Sequence, residues 1–245
     1  MNLPRFYCRE ALSPGAHVEL PEPVARHAVR VLRLPPGAEI VLFDGRGGEY
    51  AARLERIERD RVVAAVGAWE AKECESTLPI TLVQALQAGE KMDYTIQKAV
   101  ELGVVAIVPV ESRRSVTRLS GDRAGKRVAH WQGVAASACE QCGRNQVPNV
   151  APVERLENWL ARPAGDTLRL MLAPGADFAL SSLPPPGAVQ LLVGAEGGLD
   201  GKELRAAELA GFRPVSLGPR ILRTETAGLA ALAAMQTLWG DFAKA

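Results

Sequence analysis

The sequence predicts two domains, a small β-barrel followed by a larger α/β domain built on a mainly parallel sheet. In the first, residues 1–73, short apolar segments alternate with turn signals such as Pro35-Pro36-Gly37, which is typical of a small barrel. In the second, residues 79–245, apolar strands alternate with helical patterns, which is typical of a parallel sheet. Charged and hydroxyl residues replace the apolar rhythm near 72–78, so we expect the linker there.

The helices and strands follow from the spacing of the apolar residues. One helix is expected in the first domain, over residues 23–32. In the second domain, helix 91–102 is amphipathic and ends at Gly103, a residue that suits a helix C-terminus. The other predicted helices are 122–141, 153–160 and 227–239, and the predicted strands are 80–86, 104–110, 168–174, 189–195 and 214–218.

The last predicted helix, 227–239, is apolar around most of its circumference. A helix of this kind must be buried on more than one side. Both a subunit interface and a large core would satisfy this requirement, and the sequence does not choose between them.

Composition excludes some classes of protein. A chain of 245 residues with 47% apolar residues fits one large or two modest domains. No run approaches the roughly 18 apolar residues of a membrane span. The N-terminus MNLPRFYCRE contains no apolar signal stretch, so we expect a cytoplasmic protein. The net charge of +1 argues against a strong, non-specific nucleic-acid binder.

The cysteines do not form the pattern of a disulfide framework or a zinc site. The four lie at Cys8, Cys74, Cys139 and Cys142, and only the last two form a C-x-x-C. Without a second pair or a nearby histidine cluster, a zinc site is not expected. The segment is predicted to be helical, so we interpret both as ordinary helix cysteines and expect no metal.

The run LGPRILRTETA, 217–227, is more charged than a strand-to-helix connection requires. Arg220, Arg223 and Glu225 stand among two threonines, between an apolar strand and an alanine-rich stretch. Charged junctions between two buried elements are where α/β proteins place ligands. We therefore expect a ligand-binding loop here.

The run LLVGAEGGLDGKE, 191–203, predicts a buried strand, a glycine-rich loop and a helix start. Asp200 and Glu203 have the spacing of a capping box. The glycines alone are explained by a tight turn, but Glu196 between them is not required for packing. The loop matches neither the dinucleotide fingerprint nor a Walker A sequence, which disfavours a phosphate-cradling site.

Together, GAEGGLDGKEL and LGPRILRTETA resemble the bacterial 16S ribosomal RNA uridine-N3 methyltransferases, which belong to the SPOUT class. PRFYC, HAVRVLRLPPG and LFDGRGGEY near the N-terminus fit the PUA-like domain of that family, and 91–110 and EQCGRNQVP fit its middle part. The chain departs from the family pattern at Ala195, Leu199, Asp200 and Cys142, where proline, an aromatic, a hydroxyl residue and a small hydroxyl residue are more usual.

The resemblance implies a fold and an activity. The implied fold is a SPOUT trefoil-knot α/β methyltransferase domain preceded by a PUA-like β-barrel, and the resemblance also implies a homodimer. The activity is transfer of a methyl group from S-adenosylmethionine to N3 of a uridine in 16S rRNA of the small ribosomal subunit. Uridine N3 is a poor nucleophile until its proton is lost, so the enzyme must remove the proton, stabilise the anion, or both.

We expect the cofactor against three loops at strand ends, where backbone groups bond the adenine edge and leucine or isoleucine side chains cover its faces. The candidate cofactor-binding residues are Leu172, Ala173, Pro174, Gly194, Ala195, Glu196, Gly197, Gly198, Leu217, Gly218, Ile221, Leu222 and Thr226.

Arg223 is the first candidate for catalysis, because a permanent cation could stabilise negative charge on uracil or hold a phosphate. The alternative is a structural ion pair with Glu225 or Glu196. Either carboxylate could accept the N3 proton, which would require a raised pKa. Thr224 and Thr226 could instead only cap the last helix.

Arginines are the candidate RNA contacts. Between 113 and 127 the chain has six basic residues and one acid, and a solvated face is the alternative explanation. His27 is interpreted as a packing residue or an RNA contact. The candidate RNA-binding residues are Arg5, Arg33, Arg113, Arg114, Arg118 and Arg144.

Two other functions stay open. The chain could methylate another RNA or another base atom, or it could be a non-catalytic RNA-binding factor in ribosome assembly. The presence of Glu196, Arg223 and Glu225 favours an enzyme over the non-catalytic factor.

Overall fold

The computed structural model describes residues 3–58, 61–163 and 165–242. The chain divides into two compact units, one of Met1–Glu75 with Ala136–Val147 and one of Ser76–Ala135 with Pro148–Ala245. Residues 136–147, which lie inside the predicted second domain, therefore cluster with the first unit.

The N-terminal unit contains a five-stranded sheet in the order β1-β3-β4-β5-β2. The β1 strand pairs parallel to β3, and the other pairs are antiparallel. Buried and exposed residues alternate along β5, as they do when one face of a sheet covers a core. The core includes Phe6, Ile40, Leu42 and Leu54. The elements are β1 Arg5–Tyr7, β2 His17–Glu19, α1 Glu22–Arg26, β3 Glu39–Phe43, β4 Glu49–Glu58 and β5 Arg61–Glu70.

The C-terminal unit contains a parallel sheet in the order β12-β10-β11-β6-β7-β8, with β9 also paired to β7. The central strands β6 and β11 are buried on both faces, which explains their nearly continuous apolar sequences. The elements from Ser76 onward are β6 Ile80–Ala85, α2 Lys91–Glu101, β7 Val104–Glu111, α3 Gly121–Cys142, β8 Asn149–Val150, β9 Glu154–Arg155, α4 Leu156–Leu160, β10 Leu168–Leu172, β11 Val189–Val193, α5 Gly201–Leu209, β12 Arg213–Val215 and α6 Thr224–Leu238. Of these, α3 is divided, because its residues from Ala136 onward belong to the N-terminal unit.

The capping box predicted at the start of α5 is present. The Asp200 carboxylate accepts a hydrogen bond from Glu203 N at 2.8 Å, and the Glu203 carboxylate accepts one from Asp200 N at 2.8 Å. The hydrogen bond from the Glu203 backbone N–H lowers the pKa of Asp200 below its ordinary value, because it stabilises the carboxylate form.

Three helix predictions require correction. The predicted helix 153–160 begins only at Leu156, because Glu154 and Arg155 pair with the end of β7 as a short parallel strand. The predicted helix 23–32 is α1 followed by a π-helical turn, His27–Val31. The last helix begins at Thr224, three residues before the predicted start, so Glu225 and Thr226 belong to its first turn.

No helix in the described part of the chain is long and apolar enough to cross a membrane.

Candidate active site

A cavity of about 360 Å³ lies at the ends of three neighbouring strands of the parallel sheet. Its walls are the segments that follow β10, β11 and β12, the strands that stand side by side in the order β12-β10-β11. Ligands of open α/β sheets bind outside the carboxyl ends of the strands. The cavity is therefore lined by residues of both sequence runs, 191–203 and 217–227, and by residues 172–174.

Most of the predicted cofactor-binding residues line this cavity. They are Leu172, Ala173, Pro174, Gly194, Ala195, Glu196, Gly197, Gly198, Leu217, Gly218, Ile221 and Leu222. Thr226 is the exception, because it lies exposed in the first turn of α6 and is not part of the lining. Arg220, in the loop expected to bind a ligand, also lines the cavity, and sequence reasoning did not place five further wall residues at the cofactor: Arg114, Leu199, Leu204, Ser216 and Thr224.

The glycine-rich loop has a shape that depends on glycine. A Cβ atom on Gly194 would lie 3.0 Å from the backbone C of Gly198 and 3.0 Å from Leu199 N, which is tighter than most real Cβ contacts, and these backbone atoms would have to shift to admit it. Gly198 has a φ of +71° and donates its N–H to Ala195 O at 2.8 Å. The loop is therefore a tight turn whose backbone stands at the cavity wall.

Thr224 ties this loop to α6 and to β6. Its hydroxyl donates to Gly194 O at 2.6 Å and accepts a hydrogen bond from Gln84 Nε2 at 3.2 Å. All three groups are buried. The hydroxyl is thus used within the fold, and no side-chain capping bond is present at the start of α6, so the alternative that Thr224 and Thr226 only cap this helix is not found.

Arg114 also supports the loop. One of its guanidinium nitrogens donates to Gly197 O at 2.8 Å and lies 3.4 Å from Leu199 O. The sequence offered Arg114 only as an RNA contact. The structure gives it two backbone acceptors beside the cavity, although the residue remains exposed.

Both predicted catalytic carboxylates contact Lys91, the first residue of α2. The Lys91 ammonium lies 3.4 Å from Glu225 Oε1 and 3.9 Å from Glu196 Oε1. Glu196 also accepts a hydrogen bond from Ala88 N at 3.1 Å. Sequence reasoning missed Lys91, whose only signal was its position at the start of a predicted helix after a strand.

Arg223 is exposed at the residue that precedes α6. Among the residues that the structure describes, no carboxylate forms an ion pair with it, so the alternative of a structural pair with Glu225 or Glu196 is not found. Arg223 and Glu225 flank Thr224, which lines the cavity, while neither of them is in the wall itself.

Two of the predicted RNA contacts are structural residues of the N-terminal unit. Arg144 is only 3% exposed and donates to Glu75 Oε2 at 2.5 Å. Arg5 pairs with the buried Glu49 and donates to Asn145 Oδ1 at 2.5 Å. These guanidinium groups already have partners inside the protein, so we withdraw both as RNA contacts.

The remaining predicted RNA contacts are exposed. Arg33 has a φ of +54°, which is uncommon for a residue with a side chain. Arg113 Nε lies 3.2 Å from Glu157, and Arg118 donates to two backbone carbonyls at 3.1 Å. His27 packs edge-on against Phe6, with ring centroids 5.9 Å apart.

The C-x-x-C does not have the properties of a reactive or metal-binding pair. Burial raises the pKa of Cys139 to about 12, which disfavours the thiolate that metal binding requires. Within residues 3–58, 61–163 and 165–242, no group of three or more His, Cys, Asp or Glu side chains is placed to hold a metal ion.

Comparison with known proteins covers nearly the whole chain. A family model for an RNA methyltransferase domain matches residues 74–236, and one for an RNA methyltransferase PUA domain matches residues 20–66. The ribosomal RNA small subunit methyltransferase E of Buchnera aphidicola subsp. Schizaphis graminum is 32% identical over 98% of either chain. That of Bacillus subtilis is 34% identical over 85% of either chain.

Solved structures agree with this result. A ribosomal RNA small subunit methyltransferase E from Neisseria gonorrhoeae bound to S-adenosyl methionine has a TM-score of 0.94 at 48% identity, covering 98% of this chain and 100% of that one. A methyltransferase from Legionella pneumophila in complex with the same cofactor has a TM-score of 0.94 at 36% identity, covering 99% and 100%.

Proposed function

The chain belongs to the ribosomal RNA small subunit methyltransferase E family, and we propose that it methylates N3 of a uridine in 16S rRNA with S-adenosylmethionine. Its predicted fold class, a SPOUT α/β domain preceded by a PUA-like domain, is confirmed. The observation that carries the proposal is the cavity at the ends of β10, β11 and β12, with a carboxylate in its wall.

The cavity suits S-adenosylmethionine in size and chemistry. Its volume of about 360 Å³ lies within the usual range for small-molecule sites. Leu172, Leu217 and Leu222 offer apolar contacts to a flat base, and the neighbouring backbone offers hydrogen bonds. The Glu196 carboxylate offers a counter-charge for the amino or sulfonium group, or an acceptor for the ribose. When bound, the cofactor supplies an electrophilic methyl group.

Methyl transfer to N3 of uridine requires that the N3 proton be removed. We propose that Arg223, exposed and without an ion-pair partner in the described part of the chain, stabilises negative charge on uracil. Glu225 and Glu196 are the candidate acceptors for the proton. The ammonium of Lys91 lies within 4 Å of both carboxylates, so the two candidate acceptors share one cationic neighbour. Because N3 lies on the pairing edge, the uridine must be unpaired.

A basic surface on α3 supports contact with RNA. Arg123, Lys126 and Arg127 are spaced by three and four residues, so they share one face of the helix. Arg123 and Lys126 are exposed and form no ion pair among the residues that the structure describes. Phosphate groups are the ligands that such a surface attracts. We further propose that the PUA-like domain, residues 1–73, binds RNA, and that residues 79–245 carry out the transfer.

The finer features of the family are proposed for this chain as well. They are a trefoil knot in the C-terminal domain, a homodimer and a cytoplasmic location, which follows from an rRNA substrate. The partly exposed Leu238 on α6 is consistent with an apolar surface that another subunit covers.

Methyl transfer from labelled S-adenosylmethionine to 16S rRNA, followed by identification of the labelled nucleoside, tests the activity. We expect N3-methyluridine from the wild type and a loss of about 10²–10³-fold in rate for Arg223→Ala, the magnitude typical of a lost charge-stabilising group. Cofactor affinity should be retained in that variant. Arg205→Ala, which removes an exposed arginine of α5, is the control and should behave as wild type.

Near-normal turnover of Arg223→Ala would remove that residue from the mechanism. Label in another nucleoside would overturn the N3 assignment, and absence of any transfer would favour a non-catalytic RNA-binding protein.

A further inference from the structure

Three charged side chains from three separate elements meet beside the cavity. Lys91 begins α2, Glu196 lies in the glycine-rich loop after β11, and Glu225 lies in the first turn of α6. The Lys91 ammonium is 3.4 Å from Glu225 and 3.9 Å from Glu196. A single ammonium therefore lies within ion-pair distance of two carboxylates.

The cluster contains two carboxylates and only one ammonium group. In the described residues, Lys91 is the sole cation within 4.0 Å of either carboxylate. Glu225 Oε2 is buried and has no hydrogen-bond partner there. Glu196 has one further donor, Ala88 N at 3.1 Å. A second cation near Glu196 would compete with Lys91 for that carboxylate and leave the ammonium for Glu225.

We propose that Lys91 is a positioning residue that sets how strongly the cavity distinguishes the cationic cofactor from its neutral product. This inference rests on the proposed function, in which Glu196 faces the cofactor. The sulfonium of S-adenosylmethionine carries a positive charge that S-adenosylhomocysteine lacks. With the sulfonium present, Lys91 pairs with Glu225. With the thioether product present, Lys91 returns to Glu196, so the carboxylate is never left without a cation.

Removal of Lys91 should therefore change the discrimination between the two ligands. Without the Lys91 ammonium, the negative charge of Glu196 acts fully on the sulfonium, so the affinity for S-adenosylmethionine rises. The affinity for the neutral thioether does not rise to the same extent. Two unit charges about 4 Å apart in a water-like medium interact with an energy that corresponds to roughly fivefold in affinity. We expect the ratio of S-adenosylmethionine to S-adenosylhomocysteine affinity to rise about fivefold in Lys91→Met.

Glu225→Gln gives an independent test with the opposite sign. Without the second carboxylate, Lys91 pairs with Glu196 alone and neutralises it more completely. The affinity ratio should then fall below that of the wild type. This variant keeps both Lys91 and Glu196, so it remains informative even if Lys91→Met fails to fold.

The experiment is calorimetric titration of the full-length protein with each ligand. Lys91→Arg should restore the ratio. Lys98→Met removes another lysine of α2, one that pairs with Glu101 at 2.8 Å, and should leave the ratio unchanged. An unchanged ratio in both Lys91→Met and Glu225→Gln, with normal methylation by the wild type, would overturn the role of Lys91 alone. Failure of the wild type to bind S-adenosylmethionine would overturn the proposed function and this inference together.

Discussion

Replacement of Thr224 by valine tests whether the tie between the glycine-rich loop and α6 builds the cavity. Valine keeps the size of threonine but removes the hydroxyl that donates to Gly194 O at 2.6 Å and lies 3.2 Å from Gln84 Nε2. The Gln84 amide keeps its hydrogen bond to Ala85 O at 3.0 Å. The buried Gly194 carbonyl loses this partner, at a cost of about 1–3 kcal/mol.

We expect a loss of about 2 kcal/mol in the free energy of unfolding, which lowers the melting temperature by roughly 4–8 °C for a chain of this length. The loop should also be held less firmly in its binding shape. Affinity for S-adenosylmethionine should therefore fall by about tenfold, equivalent to ~1.4 kcal/mol.

Thermal unfolding and calorimetric titration with the cofactor measure these two effects. Thr237→Val is a matched control on the same helix, because the exposed Thr237 hydroxyl donates to Ala233 O at 2.9 Å, where water can take its place. That control should change stability by less than about 0.5 kcal/mol. If Thr224→Val unfolds and binds like Thr237→Val, the loop is not held in place by this hydroxyl.

Two further predictions concern pH and salt. Burial raises the pKa of Glu140 above 4.5 despite the hydrogen bond from Tyr7 N, so its ionisation destabilises the folded state as pH rises through the raised value. Glu140→Gln should be more stable than the wild type at neutral pH and equally stable well below pH 4.5, as measured by thermal unfolding. Equal melting temperatures of the two proteins at all pH values would contradict this. Double replacement of Arg123 and Lys126 by glutamine should reduce the slope of log affinity for RNA against log salt by about 0.9 per lost phosphate contact on a duplex, as measured by filter binding. An unchanged slope would assign both residues to a solvated face.

The strands of the sheet and the individual glycine-rich and charged loops could be predicted from the sequence because both depend on local patterns. Apolar runs such as 189–195 predict buried strands, and the charged or glycine-rich segments that follow them predict loops at a ligand. The order of the strands is not local, since β10 lies between β11 and β12 in the sheet. Only the resemblance to a known family indicated that these loops form one site.

The errors concern side chains whose partners are distant in sequence. Arg144 was expected at the surface, but its carboxylate partner, Glu75, stands 69 positions earlier. Arg114 bonds Gly197 across 83 positions, and Lys91 meets Glu225 only after folding. A charge run in the sequence predicts exposure, and it contains no information about such pairs.

The start of α6 shows how tertiary packing decides a boundary. The sequence predicted the helix from Ala227, where the apolar stretch begins. The buried Thr224 hydroxyl donates to the Gly194 carbonyl and holds the backbone at Thr224, where the helix begins about one turn before its predicted start. Arg223 is therefore the residue just before the helix, and Glu225 is a helical residue beside Lys91.

Mass spectrometry of 16S rRNA nucleosides from cells with and without this gene tests the central claim most directly. We predict that N3-methyluridine is present in cells with the gene and absent after deletion. It should return when the wild-type protein is restored, and it should not return with Arg223→Ala. An undiminished amount of N3-methyluridine in the deletion strain would contradict the account.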